Sequence, residues 1–149
     1  MRKCVVLAVV VMFLIGLLAA SAVAGKMMMM DGTKWKIQMK EMGKPNAKAQ
    51  PDTLVFQKGM VDSMACHPMG IKQGKYMHSM KGKQMMWSAN IKGTKGWDAM
   101  WKGQTMGDKI SGKVTFTKKG EKPMMYTFTG TKMKPGMMMP KPMKKEPGY

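Results

Sequence analysis

The sequence predicts an all-β fold: an eight-stranded antiparallel up-and-down β-barrel carrying Met- and Lys-rich tails. Three observations predict it. Apolar and polar side chains alternate through most of residues 33–131, the period of a strand with one buried and one wet face. Glycine-containing turn signals separate the alternating runs. No window sustains the 3.6-residue period of an amphipathic helix. Closing eight consecutive strands also removes the free edges that an open sheet would expose.

The elements follow in order. The first strand sets Trp35, Ile37 and Met39 between Lys34, Lys36, Gln38 and Lys40. Glu41 to Asp52 then carries Pro45, Asn46 and Pro51 and reads as a long connection. Thr53–Gln57 and Met60–Cys66 are shorter strands joined at Lys58-Gly59. His67 to Gly74, with Pro68 and Gly70, is a second long connection. Such loops commonly frame the ligand mouth of a barrel. Lys75–Met80 follows, and Lys81-Gly82-Lys83 turns the chain into a run alternating Met85, Trp87, Ala89 and Ile91 with Met86, Ser88 and Asn90. Gly93-Thr94-Lys95-Gly96 leads to Trp97, Ala99 and Trp101, and Gly107-Asp108 to Ile110, Gly112, Val114 and Phe116. After Lys119-Gly120-Glu121, the last strand alternates Met124, Tyr126 and Phe128 with Met125, Thr127 and Thr129. Pro123 stands at its start, where a missing N–H is tolerated.

The barrel, residues 33–131, is flanked by other segments. Residues 1–24 read as a signal peptide: basic Arg2 and Lys3, an apolar stretch from Cys4 to Leu18, and the small-x-small site Ala22-Val23-Ala24. The expectation is export, to the periplasm or beyond. Residues 25–32 form a Met-rich N-terminal segment. Residues 132–149 form a Met/Lys/Pro-rich tail that cannot build a core and is expected to be disordered. From Gly25 onward the chain has 125 residues, enough for one domain, and a net charge of +16, all its cations being Lys. That charge favours anionic envelope surfaces. With no arginine forks there, specific nucleic-acid recognition is not expected.

Catalytic signals are weak, and no enzymatic activity is expected. Cys66 is the only cysteine after the signal, so no intrachain disulfide framework forms. Cys66 beside His67 suggests a nucleophile and base, but neighbours on a strand point to opposite faces. One Cys and two His also fall short of a closed zinc site.

Methionine is the compositional outlier. From Gly25 onward, 22 residues are Met. Thioethers fill cores, and they also ligate Cu(I). Met39, Met85 and Met124 read as inward filler. The soft-ligand candidates are Met27, Met28, Met29, Met30, Cys66, His67, Met77, His78, Met80, Met137, Met138 and Met139. His78 and Met80 would share a strand face. With an even strand number, the start of the first strand and the end of the eighth lie at one barrel end. Met27–Met30 would there meet Met133, Met137–Met139 and Met143.

The segment Gly32-Thr33-Lys34-Trp35-Lys36-Ile37 resembles the G-x-W opening of lipocalins and related calycin barrels, with one extra residue between Gly and Trp. Trp101-Lys102-Gly103 through Gly107-Asp108-Lys109-Ile110-Ser111-Gly112, ending Tyr126-Thr127-Phe128-Thr129-Gly130, resembles small secreted bacterial lipocalin-like proteins of unassigned function. The resemblance spans residues 32–131 and implies a barrel with a hydrophobic ligand. Eight strands enclose room for packed side chains or one small ligand. Trp35, Trp87, Trp97, Trp101 and Tyr126 are the interior candidates to line it.

The expected function is therefore that of an exported, monomeric, non-enzymatic binding protein, first of all a carrier of a small apolar ligand. A Met-rich Cu(I) or Ag(I) binder and a basic protein docking on the envelope are the alternatives. A wide interior would favour the carrier; a filled barrel with converging ends would favour the soft ion.

Overall fold

The computed structural model describes residues 30–136. Residues 1–24, expected to be a signal peptide, lie outside the described residues, as do Met27, Met28, Met29, Met137–Met139 and Met143. Eight strands follow in chain order: β1 (Thr33–Glu41), β2 (Gln50–Gln57), β3 (Met60–Ser63), β4 (Gln73–Lys81), β5 (Gln84–Lys92), β6 (Trp97–Met106), β7 (Lys109–Lys118) and β8 (Met124–Lys132). Each pairs antiparallel with the next, and β1 pairs with β8, so the sheet is a closed up-and-down barrel. The architecture is compatible with a lipocalin-like fold. No described helix is long and apolar enough to cross a membrane.

Of the boundaries that differ from the sequence expectation, two have an identifiable cause. The strand expected over Met60–Cys66 stops at Ser63, and Met64–Met69 form a short 3₁₀ helix. The Asp52 carboxylate accepts the Ala65 N–H at 2.8 Å, turning the chain off the sheet. Pro68 inside the next turn has no N–H for a ladder. Strand β2 begins earlier than Thr53 and includes Pro51. It pairs with β3 only from Leu54 to Gln57, so Pro51 has one partner strand, where proline is tolerated.

The register sorts the residues by end. The lower end carries the start of β1, the β2–β3, β4–β5 and β6–β7 turns, and the end of β8. The upper end carries the 42–49 connection, the 3₁₀ helix and the β5–β6 and β7–β8 turns. At the lower end Lys58 and Gly59 both have positive φ, 53° and 71°. That pair matches the twist of a tight hairpin, and the non-glycine φ is tolerated because the turn is short.

Inward residues form one core: Trp35, Ile37, Leu54, Phe56, Val61, Ile91, Trp101, Val114, Phe128 and their neighbours. Aromatic rings occupy its centre. Trp101 stacks on Trp87 with centroids 6.4 Å apart and meets Phe128 edge-on at 5.4 Å and Phe116 at 6.3 Å. Phe56 meets Trp87 at 5.0 Å. These spacings are those of packed aromatic pairs. Gly103 and Gly112 face each other across β6 and β7 and make room for them. A Cβ on Gly103 would lie 2.6 Å from the Trp87 ring, and one on Gly112 2.6 Å from Phe128.

Candidate functional site

The interior candidates are placed as follows. Trp35, Trp87 and Trp101 are buried, whereas Trp97 and Tyr126 are half-buried near the upper end. Lys118 Nζ sits 5.2 Å from the centroid of the Trp97 ring, and Tyr126 packs edge-on against Phe116. The Trp35 indole donates to Thr33 Oγ1 at 2.8 Å. The indole N–H groups of Trp87 and Trp101 have no partner among the described residues. Buried donors of this kind are commonly met by an ordered water. The described rings pack against one another across the barrel, and the cavities of about 600 Å³ border mostly outward-facing side chains, with buried Trp87 lining one and buried Ile110 the other.

The soft-ligand candidates divide between the two ends. Cys66 and His67 lie at the upper end. Cys66 is buried, with Sγ 2.9 Å from Ser63 Oγ, and that hydroxyl donates to Asp52 Oδ2 at 2.6 Å. His67 turns away and bonds Asp62 through Nε2 at 2.7 Å. The two neighbours therefore diverge, though on a helical turn rather than a strand. Burial, reinforced by Asp52 and Asp62, pushes the Cys66 thiol up to about 11 against the help of Ser63. The folded protein at pH 7.5 should resist iodoacetamide at Cys66, and alkylation should follow global unfolding. Rapid native-state labelling would contradict the burial.

Asp52 itself is buried and accepts the Thr53 and Ala65 N–H groups as well as Ser63. Desolvation outweighs those bonds and raises its pKa from the usual 3.8. The folded state therefore takes up this proton more readily than the unfolded one. Its contribution to stability is fully present below pH 3.8 and is lost as the pH rises through the folded pKa. The stability of the native chain relative to Asp52→Asn should accordingly increase on acidification through that window, by urea melts at each pH. A difference independent of pH would contradict it.

The lower end gathers thioethers. Met30, Met80 and Met85 line one cavity of about 30 Å³, together with Trp35, Thr33 and Thr105. Three features build it. First, the entering segment is stapled down: Asp31 accepts the Gly59 N–H at 3.0 Å and the Tyr76 hydroxyl at 2.7 Å, and Gly32 N donates to Phe56 O. Met30 is thereby only 3% exposed. Burial first, then the Asp31 carboxylate, raises the Tyr76 pKa. Second, the β4–β5 turn sets Met80 directly opposite Met85. Third, β3 is short, so β4 beyond Tyr76 pairs with β5 alone and Met80 stays 52% exposed. The leaving chain is fixed alongside, with Met133 N donating to Lys34 O.

Lys83 and Lys132 also border this cavity. His78 and Met77 do not: both border a groove on the outer wall, and Met77 is 75% exposed. Among the described residues no group of three His, Cys, Asp or Glu side chains could hold a metal ion. Met85 was expected to be filler only. The two-residue turn Gly82-Lys83 was the available signal, because it pairs Met80 with Met85. No family model matches this chain, and no curated protein matches it.

Proposed function

We propose that this is an exported, lipocalin-like, non-enzymatic binding protein that holds a soft monovalent ion, Cu(I) or Ag(I), at the lower end of its barrel. The observation that carries the reading is the cavity lined by Met30, Met80 and Met85, beside the point where both Met-rich chain ends meet the barrel. Its size supports the choice. Pockets for organic ligands run to roughly 300–1,000 Å³, whereas about 30 Å³ suits an ion or a water. Neutral thioethers bind such ions without the thiolates or imidazoles that zinc prefers. One buried wall and one exposed thioether allow entry without unfolding. A packed aromatic core leaves less support for an apolar ligand inside the barrel.

Lys83 and Lys132 oppose a cation here. Even at about 4 Å, an ammonium in water-like dielectric costs only about 1 kcal/mol, so the two together cost about 2 kcal/mol at most. Micromolar binding supplies about 8 kcal/mol, so the lysines reduce affinity without abolishing it. Anaerobic titration of the full chain with Cu(I) against a competing chelator tests the reading, with Ag(I) in parallel. Tight 1:1 binding and a change in Trp35 emission are expected, because Trp35 lines the cavity. Zn(II) should bind far more weakly. If the protein fails to compete with a weak Cu(I) chelator, the methionines are packing material.

A further inference from the structure

We infer that the outer wall of β4–β7 is a second binding site, for a single-chain amphiphile with an anionic head. The starting point is a like-charge pair that the fold does not explain. Lys102 on β6 and Lys113 on β7 are direct cross-strand partners, and both are exposed on the outer face. Like charges directly opposite each other in a sheet are destabilising. The described ion pairs join Lys44 to Glu41, Lys118 to Glu121 and His67 to Asp62, so neither Lys102 nor Lys113 has a carboxylate there. A bound anion would supply the missing counter-charge to both ammonium groups at once.

The surroundings specify the rest of the ligand. Both lysines border a groove of about 600 Å³, a size within the range of small-molecule sites. The register lays Met77, Ser88, Lys102 and Lys113 in one row across four strands, with Ser79, Met86, Gln104 and Ser111 in the next. Methionine thus lies on the β4–β5 side and ammonium on the β6–β7 side. Met77 is 75% exposed in this groove, and an apolar tail would cover it. Gly103 and Gly112, whose Cβ positions face the core, alternate with these outward residues and also line the groove. Two adjacent ammoniums at one side of an apolar trough fit one acidic head and one tail better than an extended polyanion, which needs a longer track of charge.

Calorimetry of the full chain with dodecanoate, kept below its micellar concentration, tests the site. One-to-one binding is expected. The double variant Lys102→Gln/Lys113→Gln should weaken it at least tenfold while melting no lower than the native protein, since repulsion is removed. Met77→Ser/Met86→Ser should also weaken it, and dodecyltrimethylammonium should bind at least tenfold less tightly than dodecanoate. Met80→Leu should leave dodecanoate binding unchanged, which separates this site from the thioether cavity. Sedimentation with phosphatidylglycerol vesicles identifies the source of the amphiphile. Vesicle binding lost in the double-lysine variant indicates a lipid surface, and dodecanoate binding without vesicle binding indicates a free molecule; either outcome supports the site. Undiminished dodecanoate binding by the double-lysine variant overturns it. So does equal binding of the cationic amphiphile, or vesicle binding that persists without dodecanoate binding.

Discussion

Replacing Trp101 with alanine should destabilise the barrel by about 3–5 kcal/mol, the range for removing a large aromatic side chain from a core. Trp101 is fully buried and touches rings from three other strands: Trp87 on β5, Phe116 on β7 and Phe128 on β8. The loss removes its apolar burial, the stacked contact with Trp87 and the edge-on contacts with Phe116 and Phe128. The surrounding wall cannot collapse inward to refill the space, because the closed hydrogen-bonded ladder fixes its circumference. For a domain of about 100 residues, each kcal/mol shifts the melting midpoint by about 4–8 °C. A fall of at least 12 °C is therefore expected. Urea and thermal melts measure it, and a change below 1 kcal/mol would show that the rings do not form the centre of the core. Trp101→Phe should cost much less, because it also removes an indole N–H that has no partner among the described residues.

Exchanging all three cavity thioethers for leucine, Met30→Leu/Met80→Leu/Met85→Leu, should reduce Cu(I) affinity at least a hundredfold. That corresponds to about 2.7 kcal/mol or more of binding free energy. Leucine is chosen because volume-conserving swaps of this kind usually cost less than about 1.5 kcal/mol each, so the variant should remain folded. Met80→Leu alone should show much of the effect, since Met80 is the exposed ligand of the set. Ionic strength supplies an independent sign. Salt screens the Lys83 and Lys132 ammonium groups, so Cu(I) binding should tighten as salt is raised with a non-coordinating anion. A non-specific cation site on acidic groups would weaken instead. If the triple variant competes for Cu(I) as well as the native protein, the cavity is not the site.

Alternation made the barrel legible residue by residue. Trp35, Ile37 and Met39 were expected inward and are buried, as are Trp87, Ala89 and Ile91. This works because the side-chain period of a strand is two and each strand has one wet face, so local pattern and tertiary burial coincide. The pattern misjudged residues 64–66. There the backbone direction is set by a side chain distant in sequence, Asp52, capturing the Ala65 N–H. Nothing in the local composition announces that bond.

What the sequence determined by itself was the strand count, the inward and outward faces, the shared end of the first and last strands, and the abundance of soft ligands. What only the tertiary structure decided was which soft ligands meet. Cys66 and His67 stand at one end of the barrel and Met30 and Met80 at the other, although all four belong to the same chemical class. The shortness of β3 leaves Met80 exposed, the Asp31 staple buries Met30 beside it, and hairpin register brings in Met85. The Lys102–Lys113 pair likewise exists only once β6 and β7 are in register. Composition fixes which atoms can bind, but closure and register, which act between residues far apart in the chain, fix which of them share a site.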